Sequence, residues 1–218
     1  MTKQLLKCPI IVTGDWHLRE DCPPCRKGNW MELQKSKIES IFQYAEKHNA
    51  IILHTGDLFH SHKPSISLIV WFLKLLDGRE TLLYILPGNH DTKSIDSTQD
   101  SRNVEGTALD LLYCASEQVQ IIHSNSLLSL HSENFLDPIA CMHVEDVVES
   151  HFLLAYHTLI FLNDNFPNGI DGVSAKTFIK HINNRFIDNS ISYICTGDNH
   201  EAFTCTCDNT TLINPGCL

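Results

Sequence analysis

Five short apolar runs in this chain each end, within a residue or two, in side chains that bind metals or move protons. Ile10 to Gly14 leads into Asp15-Trp16-His17, and Ile51 to Thr55 into Gly56-Asp57. Leu82 to Pro87 leads into Gly88-Asn89-His90-Asp91, Phe152 to Tyr156 into His157, and Tyr193 to Thr196 into Gly197-Asp198-Asn199-His200. Short β-branched or apolar runs bounded by turn formers read as buried strands. In an open α/β sheet the crevice outside the strand carboxyl ends is where ligands bind, so five such strands bring their Asp, Asn and His residues to one edge. Glycine directly before the acidic residue, at Gly14, Gly56 and Gly197, predicts a tight exit in which the backbone turns and the acid faces the crevice.

The segments between the clusters alternate strand and helix. Met31 to His48 carries Ile38, Ile41, Phe42 and Ala45 at helical spacing. Pro64 opens an apolar helix over Ser65 to Leu76 that Asp77-Gly78 ends, and Thr81 to Leu86 reads as a strand. After a polar loop over 92–106, a short helix spans Thr107 to Ala115. The second half is richer in strands, expected near Val119 to Ile122, Leu127 to Leu130, Phe152 to Tyr156, Ile191 to Cys195, Ala202 to Cys207 and Thr211 to Ile213, with a helix near Ser174 to Ile182. No repeat or linker interrupts this order, and 218 residues suit one α/β domain spanning 1–218 with a mixed sheet system.

Composition narrows the chemistry. The formal net charge is -10, with 43% hydrophobic and 19% charged residues, which is globular rather than disordered and argues against a broad basic face for nucleic acid or membrane. Any phosphate handling must then be local or metal-assisted. The N-terminus does not read as a signal peptide. The most apolar runs, Ile66 to Leu76 and Phe152 to Leu162, fall short of the roughly 18 to 20 residues a membrane span needs. Nine cysteines, an odd number scattered through strands and loops, suit reduced thiols and a cytoplasmic setting. Cys22-x-x-Cys25 with Cys205-x-Cys207 would make a zinc site only awkwardly, with two prolines inside the first pair and one residue inside the second.

Oxygen and imidazole donors without thiolates suit Mn²⁺, Fe²⁺, Zn²⁺ or Mg²⁺, and they exceed what one ion needs. Two ions about 3.5 to 4 Å apart account for the surplus and form a clamp for in-line attack at phosphorus.

The ordered motifs resemble those of the calcineurin-like metallophosphoesterases: D-x-H at Asp15/His17, G-D at Gly56/Asp57, G-N-H-D at Gly88 to Asp91, a lone His157, and a terminal motif at Gly197 to His200. Asn214-Pro215-Gly216 is similar to the family's N-P-G turn, so the resemblance covers residues 11–216. It implies a four-layer α/β/β/α sandwich of the metallo-dependent phosphatase type. It also implies one metal on Asp15, His17, Asp57 and His200 and a second on Asp57, Asn89, His157 and Asp198, with Asp57 as the bridge. His90 would act at the scissile phosphate or protonate the leaving oxygen, with Asp91 orienting its imidazole. Asp198 stands where the family pattern has His, and a carboxylate can ligate a hard divalent ion in its place.

More narrowly, Gly56 to Ser65 resembles the SbcD-type DNA-repair nucleases, which places His60 as an assistant at the phosphate. Arg19, Arg26 and Lys27 in the loop after His17 can hold phosphates, and His62 and Lys63 add local positive potential. Trp30 either stacks on a base or packs as the lead-in to the following helix. The expectation is a dinuclear phosphodiesterase with Mn²⁺, acting on DNA as an exonuclease. A phosphatase or diesterase for a nucleotide, small molecule or phosphoprotein is the alternative, and a non-catalytic scaffold a further one. The expected domain is a single unit without a C-terminal capping or partner-binding extension, and a partner ATPase is not inferred.

Overall fold

A computed structural model of the chain describes residues 9–24, 28–93, 103–122, 140–145, 150–167, 170, 172–185 and 191–218. The first half builds β1 (Ile10–Thr13), α1 (Trp30–Lys47), β2 (Ile51–His54), α2 (Ile66–Leu76), β3 (Leu83–Ile85), α3 (Ala108–Ala115) and β4 (Val119–Ile121). The four strands form one parallel sheet in the order β1-β2-β3-β4. The second half adds β5 (Ala140–Glu145), β6 (Ser150–His157), β7 (Ile160–Phe161), β8 (Val173–Ser174), α4 (Ala175–Arg185), β9 (Ile191–Gly197), β10 (Phe203–Cys207) and β11 (Thr210–Asn214). Its main sheet runs β10-β11-β9-β6-β5, parallel at β11/β9 and β9/β6 and antiparallel at its two ends. The short β7 and β8 pair separately.

Strand periodicity sorts the side chains into three cores, and these define the layers. Ile52, Leu83, Ile85 and Val119 face α1, α2 and α3, packing on Ile38, Phe42, Leu68, Phe72 and Leu112. The alternate residues of the same strands, Ile51 and Leu53, pack with Leu153, Ala155 and Cys195 of the second sheet, so the two sheets lie face to face. The outer face of that second sheet, Leu154, Ile194 and Leu212, covers Ile179 and Ile182 of α4. The order is therefore helices, sheet, sheet, helix, as the resemblance implies. Each fully buried Leu, Ile or Phe contributes roughly 1.5 to 3 kcal/mol by leaving water.

Local signals set the helix starts. The Asn29 side chain accepts from Glu32 N–H at α1, Ser65 from Leu68 N–H at α2, and Thr107 from Asp110 N–H at α3. Ser65 is the cap of α2, which puts Pro64 before the helix rather than inside its first turn. The expected strand at Leu127 to Leu130 lies outside the described residues. No helix among the described residues is long and apolar enough to cross a membrane.

Candidate metal centre

The carboxyl ends of β1, β2, β3, β6 and β9 all open onto one edge. The chain leaving β1 stays paired with the chain leaving β2: Asp15 N–H donates to Gly56 O, His17 N–H to Asp57 O and Leu18 N–H to Leu58 O, each at 2.9 Å. Thr55 ties the two sheets together here. Its hydroxyl donates to Thr196 O at 3.0 Å, and its carbonyl accepts from His157 Nδ1 at 2.8 Å.

Backbone strain concentrates at this edge. Asp15 (φ 48°), His17 (φ 43°), Asp57 (φ 56°) and Asp198 (φ 81°) are all left-handed. This corrects the expected role of the preceding glycines. Gly56 is left-handed (φ 116°), but at Gly14 and Gly197 the acidic residue itself makes the turn. Those two glycines serve close approach instead, since a Cβ on either would collide with Thr55.

The predicted ligands come together in two overlapping groups. Asp15, His17 and His200 offer donor atoms within 4.8 Å of one another, as do Asp15, Asp57 and His157. His90 N–H holds Asp57 Oδ1 at 2.9 Å, while Asp57 Oδ2 stands 3.6 Å from His17 Nε2 and 3.5 Å from His157 Nε2, between the groups. His157 donates from Nδ1 to a carbonyl that can only accept, which leaves Nε2 as the ring atom toward the ligand candidates. Nε2 lies 3.0 Å from Asn89 Oδ1 and 3.8 Å from Asp198 Oδ1. His17 Nε2 and His200 Nε2 likewise face each other at 3.0 Å. Imidazole nitrogens, an amide oxygen and carboxylates converging around buried Asp15, Asp57 and His157 are a donor set that divalent cations satisfy, and the residues present fit two ions sharing Asp57.

Asp198 does two things. Its side chain reaches toward His157, and its backbone N–H donates to both oxygens of Asp15, each at 3.1 Å. The backbone role was not legible in the sequence.

Without metal, the two buried carboxyls move apart. Burial, reinforced by the Asp57 and Asp198 charges and opposed by His157, raises Asp15 to about 7. Burial also pushes Asp57 up, but the hydrogen bond and charge of His157, the His90 N–H and His17 outweigh it and bring Asp57 to about 2. Burial lowers His17 to about 4. Below pH 7 Asp15 thus keeps a proton beside the ionised Asp57, and a divalent cation between them would favour ionisation of both.

On the open side of the ligands, His60 stacks on His90 with ring centroids 5.2 Å apart, and His17 meets His90 edge to face at 4.8 Å. His90 Nδ1 donates to His60 O at 2.8 Å. The expectation that Asp91 orients His90 is therefore corrected. Asp91 is fully buried and accepts from the backbone N–H groups of Leu58, Phe59 and Gly88, fixing the two motif loops to each other. A main-chain carbonyl does the orienting instead.

Other supports had weak sequence signals. Gln34, the polar member of the buried stripe of α1, lies 3.3 Å and 3.4 Å from the carbonyls of Trp16 and His17 and donates to them. Asn214 of the N-P-G turn donates to Asn199 O and Glu201 O, both at 2.7 Å, and accepts from Thr196 Oγ1 at 3.1 Å. Trp30 begins α1 and is 8% exposed, which favours its packing role, although it also lines the cavity over the ligands. Arg26, Lys27 and Cys25 lie outside the described residues.

No curated protein matches the sequence. Among solved structures, an archaeal phosphodiesterase is 15% identical with a TM-score of 0.47, over 95% of this chain and 82% of that one. Vacuolar protein sorting 29 of Cryptosporidium parvum is 13% identical with a TM-score of 0.42, over 95% of this chain and 73% of that one. A Staphylococcus aureus protein assigned as a 5′-nucleotidase is 12% identical with a TM-score of 0.53, over 95% of this chain and 48% of that one, a likeness of fold. The family model for calcineurin-like phosphoesterases spans residues 8–203, from before β1 into β10 and through every motif that builds the two-ion donor set, and the chain belongs to that family.

Proposed function

We propose that the chain is a dinuclear phosphodiesterase that hydrolyses phosphodiester bonds, with DNA as its substrate and exonucleolytic cleavage as its mode. The observation that carries the reading is the His60 and His90 stack on the open side of the donor set, with Arg19 Nη1 3.1 Å from His60 Nε2. Asp15, His17, Asp57 and His200 would hold one ion and Asp57, Asn89, His157 and Asp198 the other. When bound, the ions supply a nucleophile at neutral pH and Lewis-acid stabilisation of charge at phosphorus.

The chain's own residues supply orientation and the proton. His90 is fixed through Nδ1–H by the His60 carbonyl, which leaves Nε2 toward the leaving oxygen, and the ring protonated on both nitrogens would donate from Nε2 and keep its Nδ1 proton. Arg19 donates to His60 Nε2, so the neutral His60 ring carries its proton on Nδ1 and can donate it to a phosphate oxygen. Buried walls of Trp16 and Trp30 exclude water on one side of the cavity. This His60 geometry supports the SbcD-type nuclease reading. Mn²⁺ suits the mixed oxygen and imidazole set. With a net charge of -10, DNA would be held by the ions and a few loop cations rather than a basic face.

The deciding experiment is a Mn²⁺ panel comparing a nitrophenyl phosphomonoester, the corresponding diester, cyclic nucleotides and end-labelled single- and double-stranded DNA. Mononucleotide release from DNA that is lost in His90→Ala supports the nuclease. Monoester cleavage with inert DNA overturns it in favour of a phosphatase.

A further inference from the structure

We propose that Arg19 is a second anion-binding point beside the metal centre, that it takes the phosphate adjoining the one cleaved, and that the Asp21 carboxylate occupies it until a substrate phosphate displaces it. The inference rests on the phosphoesterase reading above and narrows its substrate to diesters that carry a neighbouring phosphate, such as an oligonucleotide.

The position of Arg19 is imposed by the backbone. Leu18 N–H donates to Leu58 O at 2.9 Å, His60 N–H donates to Leu18 O at 3.1 Å, and Leu18 bridges Phe59. Arg19 and His60 therefore leave paired segments side by side, and Arg19 sits one imidazole beyond the metal-ligand candidate His17, whose ring centroid is 5.7 Å from that of His60. Arg19 is the one Lys or Arg among the described residues lining the cavity of about 520 Å³ that also holds Asp15, Asp57, His90 and His200. A cation in that place faces whatever extends from a phosphate bound at the ions.

The guanidinium is already engaged as an anion would engage it. Nε donates to Asp21 Oδ1 at 2.8 Å and Nη2 donates to Asp21 Oδ2. This fork grips a carboxylate and a phosphate with the same geometry. The two partners differ in exposure: the Asp21 side chain is 69% exposed and that of Arg19 23%. Releasing Asp21 returns a mostly hydrated carboxylate to water, an exchange with little cost because exposed ion pairs are weak. A phosphodiester entering from the cavity carries the same single charge as the carboxylate, but tethered through the neighbouring phosphate at the ions it meets the guanidinium at high effective concentration and wins the exchange, whereas a substrate with a single phosphate leaves Asp21 in place.

The test uses the Mn²⁺-loaded full chain with the thymidine dinucleotide TpT, which has one phosphate, and the trinucleotide TpTpT, which has two. Arg19→Gln should lower kcat/KM for both substrates through the lost bond to His60, and should lower it for TpTpT about tenfold further than for TpT, the scale of one charge-assisted hydrogen bond. Asp21→Asn should raise kcat/KM for TpTpT about two- to threefold. Equal losses on both substrates in Arg19→Gln would show a structural role and overturn the inference, as would a loss on TpTpT in Asp21→Asn. If the wild type cleaves neither substrate, the phosphoesterase reading fails, and calorimetric titration of the same two ligands still decides the anion site. A wild-type preference for TpTpT that disappears in Arg19→Gln supports the site, and equal affinities in wild type and variant refute it.

Discussion

Asn214 is the strongest test of how the metal-side loop is held. Its side chain is buried in a residue 2% exposed, and all of its hydrogen-bonding capacity on that side is used. Nδ2 donates to Asn199 O and Glu201 O, and Oδ1 accepts from Thr196, so one amide clamps both ends of the loop that carries Asp198 and His200. Asn214→Ala removes three hydrogen bonds. At roughly 0.5 to 1.5 kcal/mol each, less what water restores to the partly exposed carbonyls, the loss is about 1 to 4 kcal/mol. Asn214→Asp keeps the acceptor for Thr196 but turns a carboxylate oxygen toward two carbonyls, so it should be at least as damaging as Ala. Urea unfolding followed by circular dichroism measures the stability, and elemental analysis of the dialysed protein measures the ions retained. The clamp argument requires both variants to lose stability, in that order, and to retain less metal. A loss under 0.5 kcal/mol with full metal content in either variant would refute it.

Three further outcomes follow from the same geometry. His54 is fully buried, its ring edge to face with Trp16, and burial lowers it to about 3. The unfolded chain thus takes up a proton near 6.5 that the fold refuses, so stability present above that pH should fall by about 2 kcal/mol between pH 6.5 and 5, and His54→Gln should flatten the decline. Asp15, raised to about 7, holds a proton in the metal-free chain at pH 6, so Mn²⁺ affinity should climb as pH rises through 7. Calorimetry at pH 6 in buffers of different ionisation heat should record proton release, and none released would contradict the shift. At position 198, Ala and Gly should both lower the metal count from two toward one, while Ala alone bears the left-handed backbone cost and unfolds with about 1 kcal/mol less stability. An unchanged metal count by elemental analysis would remove the Asp198 carboxylate from the ligand set.

The readable parts of the chain were those whose signal is local. β1 and β2 fall within the expected runs Ile10 to Gly14 and Ile51 to Thr55 because Ile10 to Thr13 and Ile51 to His54 are continuous, with every residue of β2 buried. β5 was missed because Ala-Cys-Met-His-Val-Glu has neither alternation nor a β-branched run, and it gains its conformation by pairing along β6. β7 and β8 are two residues each, too short to leave a pattern. At the site, side chains that would touch an ion were legible because Asp, Asn and His after a strand are uncommon in an apolar context. Main-chain partners were not. Asp91 looked like an imidazole partner because it follows His90, yet its bonds go to amides some thirty residues away in sequence as well as to Gly88. Nothing in the local sequence marks an N–H that only tertiary packing delivers.

The strained backbone explains why so many supports surround so few ligands. Among the described residues, seven non-glycine residues are left-handed, and Asp15, His17, Asp57 and Asp198 are four of them. Each such conformation costs of order 1 kcal/mol and persists only where neighbours over-determine it. The neighbours are identifiable: the β1 and β2 exit strands pair beyond their sheet, Gln34 binds the Trp16 and His17 carbonyls, Asp91 and His90 N–H fix the Asp57 loop, and Asn214 holds the loop of Asp198. Each left-handed turn directs the main chain back so that the next amide or carbonyl is used in pairing while the side chain stays at the crevice. Asp tolerates this conformation better than most residues because its short polar side chain bonds locally. At Asp198 the same left-handed residue that aims a carboxylate toward His157 also presents its N–H to Asp15. The site is therefore held in the places where strain is stored, and its freedom is left to half-buried Arg19 and exposed Asp21, side chains on a main chain already pinned at Leu18.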